Sequence, residues 1–312
     1  MGVEQLSLFP DQPAEVVRPR SGLTGESPLT SAMDRFEHHM LRQDYAENTV
    51  KSFLGDLRIL KRFLKGDPAI GEIDTPRLEG FLHWLQHERG EPCSPKSYAR
   101  RLTTLKVFFA WLADLGAVYP DPAAPLIHKP ASTPLPRVLY EDQVNEVLAV
   151  TRELMAGDEP DPRPHLLVNL VLHTGIKKQE ALRLRLSHVD TSDPAGPVVQ
   201  IRYDRPAMEY KQRRLRLPPG WGHTLGAYRR AYEIEDLIFP WTGRNLEYVL
   251  NAVAKQAGLP DGLTFEMLRW TCALRDYKAG MDADKLRRKL GLSQMSWIET
   301  EERLAKLAEA PL

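Results

Sequence analysis

Apolar residues recur at helical spacing over most of the first third of the chain. Val50, Phe53, Leu54, Leu57, Leu60, Phe63 and Leu64 fall on one face of a helix opened by Asn48-Thr49. Pro76 starts a second helical segment with Leu78, Phe81, Leu82 and Leu85. Ser94-Pro95 starts a third, proline suiting a first-turn position, with Tyr98, Leu102, Leu105, Phe109 and Leu112 toward a core. Between 119 and 137 there are six prolines and no apolar period, which predicts an extended, proline-stiffened linker.

Beyond the linker the period changes. Tyr140 to Val144 reads as a helix start, and 166–173 as a mostly apolar helix. Segments 198–202 and 213–217 alternate and are bounded by turn residues, so they read as strands of a small sheet. Helices follow at 265–277, ending at Gly280, and at 282–290, ending at Gly291. Arg287, Arg288 and Lys289 lie in that helix's last turn, where the dipole favours cations. Ser296 with Glu299 predicts a capping box for a final helix carrying Leu304 and Leu307. The expected fold is mainly α with a small antiparallel sheet. It is divided into a tail (1–27), a helical domain (28–118), a linker (119–137) and an α+β domain (138–312).

Composition narrows the class. The 312 residues are 42% hydrophobic and 27% charged, as in a globular protein. No apolar run is long enough to span a bilayer, and the N-terminus lacks a secretory pattern, so a cytoplasmic, nucleoid-associated place and no membrane partner are expected. Cys93 and Cys272 stand far apart without metal-ligand spacing, so neither a metal nor a cofactor is expected. Lys plus Arg equals Asp plus Glu at 42 each, whereas nucleic-acid binders usually carry a basic surplus. The surplus is local: residues 198–217 hold six Lys/Arg against two Asp/Glu. On the 95–112 helix, Arg100, Arg101, Thr103, Thr104 and Lys106 fall on or near the face opposite the apolar one. That pattern suits phosphate contacts or simply a solvated face.

Within the proline-, glycine- and serine-bearing tail, Gln5, Leu6, Leu8 and Phe9 resemble the QLxLF peptide by which bacterial proteins dock on the replication sliding clamp. A Gln to hydrogen-bond and a Leu-Phe pair to fill an apolar pocket are what such docking needs. The alternative is a tail segment that folds against its own body.

Several ordered segments resemble the tyrosine recombinase (phage integrase, Xer-type) family. They are Glu47-Asn-Thr-Val50, Asp56-Leu57-Arg58, and Ser94-Pro95 through Arg100 to Phe109 in the first domain. Asp121-Pro-Ala-Ala124 to Leu135-Pro-Arg-Val-Leu139 is similar to the interdomain joint. In the second domain they are His173-Thr-Gly-Ile-Lys-Lys-Gln-Glu-Ala-Leu182, Leu268-Arg-Trp-Thr-Cys272, Ala279-Gly-Met-Asp282 and Lys289-Leu-Gly-Leu292. The resemblance implies a SAM-like core-binding domain followed by a recombinase catalytic-type domain.

It also implies a set of catalytic positions. The family attacks a DNA phosphodiester with a tyrosine, assisted by two arginines, a lysine and two His-type donors. The position of the first arginine is Lys177, which keeps a charge but loses the planar fork. Glu180 matches the acidic residue three positions on. The lysine position in the strand turn is Met208, with Lys211 close enough to swing in. The first His-type donor position is Glu266, whose carboxylate repels phosphate, and the second is Leu292, which donates nothing. The second arginine, Arg269, is retained, either as a phosphate contact or as a structural partner of Glu180 or Glu266. The nucleophile position is Glu301. Independently of register, no tyrosine follows Tyr277 and no histidine follows His223.

The sequence therefore reads as a pseudoenzyme of the recombinase fold that binds double-stranded DNA in an architectural, regulatory or non-cutting role. The implied DNA contacts are Thr49, Lys51, Lys96, Arg100, Arg101, Thr103, Lys106, Lys177, Lys211, Arg213, Arg214, Arg269, Arg287 and Arg288. The expected protein partners are an active recombinase, or a second copy through the C-terminal helix, and a sliding clamp through the tail. The alternatives are a protein-interaction module that no longer holds DNA, and a site-specific recombinase with residual activity.

Overall fold

In the computed structural model, residues 22–91, 93–127 and 134–309 are described. The chain divides into two compact units, with the boundary between Thr133 and Pro134.

The first unit is helical: α1 (Leu29–Arg42), α2 (Glu47–Phe63), α3 (Thr75–His87) and α4 (Pro95–Asp114). Local chemistry starts the last two. The Asp74 carboxylate accepts from Arg77 N at 2.9 Å, and the Ser94 hydroxyl accepts from Ser97 N at 3.2 Å, ahead of Pro76 and Pro95. The amphipathic stripes meet in a core centred on Phe36, Leu57, Leu60, Phe81, Leu105, Phe108 and Phe109. Burying each such side chain contributes about 1.5–3 kcal/mol. The helix expected to open at Asn48-Thr49 begins at Glu47, so Thr49 sits in its first turn.

Both predicted borders of this unit shift outward. The end of the expected tail is packed: Leu23 is buried, Gly71 N donates to Gly25 O at 2.8 Å, and Ile70 N donates to Ser27 O at 2.9 Å. The start of the expected linker is packed too, with Ala123 and Leu126 in the core. Prolines hid this from the sequence because they suppress periodicity without preventing burial.

The second unit contains α5 (Glu141–Ala156), α6 (Arg163–Thr174), α7 (Lys178–Leu182), β1 (Val189–Asp190), β2 (Val198–Ile201), β3 (Arg213–Arg216), α8 (Gly220–Tyr232), α9 (Gly243–Gln256), α10 (Phe265–Lys278), α11 (Ala283–Lys289) and α12 (Gln294–Glu309). Helix α6 is its axis. Leu166, Leu167, Val168, Leu170, Val171 and Leu172 are all buried, because α5, α8, α9 and α10 surround it. The antiparallel sheet runs β1-β2-β3, with Val199 opposite Leu215 on the core side. Arg214 and Arg216 point the other way, as the period-2 alternation requires. The turn between β2 and β3 contains a short 3-10 helix, Pro206–Lys211.

The last helix also differs from expectation. It begins at Gln294, and its cap is Ser293, whose hydroxyl accepts from Ser296 N at 3.2 Å. The Ser296–Glu299 box is not formed. Trp297 and Leu304 pack in a satellite core with Leu286 and Leu290, so the apolar face of α12 is occupied within the chain. Met295 and Ile298 point outward. No helix among the described residues is long and apolar enough to cross a membrane.

Candidate functional site

The candidate centre is built around the end of α6. Gly175 ends that helix with φ +60, and a Cβ there would meet Leu290 Cδ2 at 2.8 Å, so only glycine lets the chain pass so close to α11. The turn delivers Lys177 and, three residues later, Glu180. The Glu180 carboxylate is buried and accepts from Lys177 N at 2.8 Å, from Tyr203 Oη at 2.6 Å, and from two Arg213 nitrogens at 3.0 and 2.7 Å. Burial pulls its pKa up, but the Arg213 bonds and charge, joined by Lys177 N and Tyr203, hold it down to about 2.

Three cations converge on the end of α11. Arg213 Nε donates to Lys289 O at 2.7 Å, Arg269 Nη2 to Leu290 O at 2.7 Å, and Lys177 Nζ to Gly291 O at 3.1 Å. Arg269 also donates to Gly175 O. Consecutive carbonyls at a helix C-terminus lack intrahelical partners and carry partial negative charge, so cations belong there. Gly291, at φ +60, is required: a Cβ would lie 2.6 Å from an Arg213 nitrogen.

Arg269 is held by backbone, and not by either carboxylate the sequence offered. It is nine-tenths buried, and its terminal nitrogens go to backbone carbonyls rather than to Glu180 or Glu266. Burial and the neighbouring charges of Arg269, Lys211 and Arg213, against the pull of Glu180, bring the Lys177 ammonium down to about 8.

A cleft of about 260 Å³ opens beside these groups. It is lined by Lys177, Glu266, Arg269 and Leu292, with Trp270 and Thr300. The fold thus brings four of the six catalytic-type positions to one cavity. Glu301 follows Thr300 on α12 and is half-buried. Met208 lies in the 3-10 turn, its sulfur accepting from Lys211 Nζ at 3.0 Å. The Glu266 carboxylate accepts from Trp270 Nε1 at 2.8 Å, Thr300 donates to Ser296 O, and Lys178 pairs with Glu247. Chemically, the cleft offers one amine, one guanidinium, one carboxylate, one hydroxyl, an indole and apolar wall.

In the first unit the expected phosphate-contacting face is partly interior. Arg101 is buried, with Nε 3.4 Å from Asp56 and Nη1 donating to Cys93 Sγ at 2.8 Å. Thr104 is buried and donates to Asp56 Oδ2 at 3.0 Å. Their assignment to a phosphate-contacting face is corrected: both turn inward to a buried carboxylate. Burial pushes the Asp56 carboxyl up despite Arg100, Thr104 and Arg101. Arg100, half-exposed, holds the same carboxylate at 2.9 Å. Lys96 and Thr103 are exposed, Thr49 and Lys106 are half-buried, and Lys51 pairs with Glu47 at 2.5 Å.

Arg213 is corrected in the same way, since its guanidinium is consumed by Glu180 and backbone carbonyls. Arg214 stays exposed, 3.8 Å from Asp190. Arg287 and Arg288 share Asp284 at 2.6 and 2.5 Å. Such surface pairs contribute little and are screened by salt. The clamp-like residues Gln5, Leu6, Leu8 and Phe9 lie outside the described residues.

Missed from the sequence were Asp56, Tyr203 as a partner of Glu180, and Trp270 as a partner of Glu266. Only Asp56 left a signal. It falls on the apolar stripe with Phe53, Leu57 and Leu60, where a carboxylate needs a partner.

Residues 33–116 match the phage integrase N-terminal SAM-like domain, and residues 137–300 match the phage integrase family. The chain is similar to the tyrosine recombinase XerC of Mycobacterium leprae, 33% identical over 163 residues, covering 51% of this chain and 54% of that protein. It is similar to XerC of Lacticaseibacillus casei at 26% identity over 273 residues, 83% of this chain and 89% of the relative. The match to the mycobacterial relative spans about half of that relative's length. Among solved structures, a lambda integrase dimer bound to a COC' core site superposes with TM-score 0.70 at 15% identity, covering 92% of this chain and 79% of that one.

Proposed function

Since the chain belongs to the phage integrase family, we propose that it binds double-stranded DNA through the recombinase scaffold and does not cut it. It serves an architectural or regulatory role, or acts as a non-cutting subunit beside an active recombinase. The observation that carries the second half is the nucleophile position. It is Glu301 on α12, and no tyrosine follows Tyr277 in any register. The cleft supports the same reading. Phosphoryl transfer at a DNA phosphate needs cations on the non-bridging oxygens and a donor for the leaving oxygen. Here the Arg269 guanidinium is turned to carbonyls, Lys177 to Gly291 O, and Glu266 and Leu292 stand at the donor positions.

DNA binding rests on different groups. The lambda integrase relative is held on a core site, and binding in general needs only Lys and Arg near phosphates. Lys96, Arg214 and Arg288 remain exposed to provide them. The balanced net charge, with many surface cations already paired, favours a modest affinity with a clear salt dependence. It is also the observation behind a second reading, a protein-interaction module without DNA.

Gel shifts on random duplexes at low and moderate salt separate the two. The first reading expects a shift that fades with salt and with Lys96→Glu or Arg214→Glu. Absence of any shift moves the function to protein binding. Nicked suicide substrates run on denaturing gels test the chemistry, and a covalent protein–DNA adduct overturns the non-cutting half.

A further inference from the structure

We infer that the Lys177 amine is a nucleophile toward an aldehyde carried by DNA, and that it captures the ring-opened sugar of an abasic site as an imine. The inference rests on the DNA-binding reading above and gives the same cleft a substrate class. Two residues that unfit the cleft for strand transfer fit it for this. An arginine at 177 would offer a fixed cation alone, because a guanidinium stays protonated at any working pH. A lysine offers an amine, which adds to carbonyl carbon once it has lost its proton. A carboxylate at 266 repels phosphate but can carry protons. Both residues line the cleft of about 260 Å³, and both line the neighbouring cavity of about 220 Å³ together with Arg269.

The surroundings of Lys177 favour loss of the proton. Its Nζ donates to Gly291 O at 3.1 Å, a neutral acceptor, while the carboxylate three residues on, Glu180, is taken by Arg213. A neutral amine still has an N–H for Gly291 O, so deprotonation need not break that contact. With the pKa lowered to about 8, roughly a quarter of this amine is unprotonated at pH 7.5, against about a thousandth of an ordinary lysine. Leu290 and Leu292 add an apolar wall that favours the uncharged form. In a duplex held across the cleft, a strand offers an aldehyde only where a base has been lost and the sugar has opened. The nitrogen lone pair then forms a C–N bond to the aldehyde carbon, and the carbonyl π pair moves to oxygen. Both amine protons pass to that oxygen by way of Glu266, it leaves as water, and a C=N bond remains. No phosphodiester breaks, and nothing is oxidised or reduced.

The test mixes the full chain at pH 7.5 with a duplex bearing one abasic site, adds sodium cyanoborohydride to reduce any imine to a stable amine, and maps adducts by denaturing gel and mass spectrometry. The same duplex without the abasic site is the control, and gel shifts without reductant read binding to both. The expected result is an adduct with the abasic duplex alone, carried mainly by Lys177. Lys177→Arg, which keeps the charge, should lower the yield by about tenfold or more, Glu266→Gln should slow adduct formation, and Lys178→Arg should leave it in place. Because the mapping uses the wild-type chain, it does not depend on how a variant folds. A shifted abasic duplex with no adduct at Lys177, or with adducts spread over other lysines, overturns the proposal and leaves DNA binding standing. No shift with either duplex overturns the DNA-binding reading, and the proposal with it.

Discussion

Replacing Glu180 by glutamine tests whether the cations of the cleft serve the fold. The variant leaves the Arg213 guanidinium buried without its counter-charge, while both side chains are almost wholly inaccessible in the wild type, at 7% and 4%. Two routes give the magnitude. A carboxylate held at about 2 against an ordinary 4.5 contributes roughly 3 kcal/mol at neutral pH. Breaking a buried pair by removing one partner costs about 3–5 kcal/mol. Urea unfolding at pH 7 should therefore show the variant less stable by roughly that amount, with an unchanged slope. The pH dependence has a definite sign. Because the folded carboxyl titrates lower than the unfolded one, its contribution is complete above about 4.5 and is lost as pH falls toward about 2. The gap between wild type and Glu180→Gln should narrow over that window. A loss below about 1 kcal/mol at pH 7, or a gap that does not narrow in acid, would refute the idea that Glu180 and Arg213 are a structural pair.

Further outcomes follow from other groups. Glu301→Tyr alone should form no covalent adduct with a nicked duplex, because Lys177, Glu266 and Leu292 still flank the cleft; adduct on a denaturing gel would show that the nucleophile was the one missing part. Asp56→Ala should cost about 3–5 kcal/mol in chemical denaturation, since Arg101 is left buried without a counter-charge. Lys177 titrates near 8 in the folded chain against an ordinary 10.5, so the wild type should gain stability relative to Lys177→Met as pH rises from about 8 to 10. Parallel thermal-melt profiles over that range would contradict the burial of its ammonium.

Several helices were legible where an apolar period coincided with a capping or breaking residue, although α9, capped by Thr242, was not read. Pro76 in the first turn of α3, Ser94-Pro95 before α4 and Gly291 after α11 all act as the sequence suggests. β1 was not, because two residues carry no period, and its pairing with Val199 is set by tertiary contact alone. The packed residues around Leu23 and Ala123 were hidden by glycine and proline, which erase periodicity without forbidding burial. At the site, the resemblance named six positions, of which Lys177, Glu266, Arg269 and Leu292 line the cleft. It could not fix side-chain direction. Arg100 and Arg101 are neighbours on α4, yet one reaches solvent and the other the interior, since successive helical residues differ by about 100°. Arg213 and Arg214 divide the same way across a strand.

The end of α11 is tied to three distant stretches of chain, through Arg213, Arg269 and Lys177. A substitution that silences strand cleavage by changing the nucleophile leaves this knot intact, whereas losing one of its cations strands a carbonyl in the interior. Loss of Arg213, Arg269 or Lys177 would thus carry a folding cost separate from any role at a phosphate. The needs of folding alone would accordingly keep Arg269 in place, whatever residue stands at the nucleophile position.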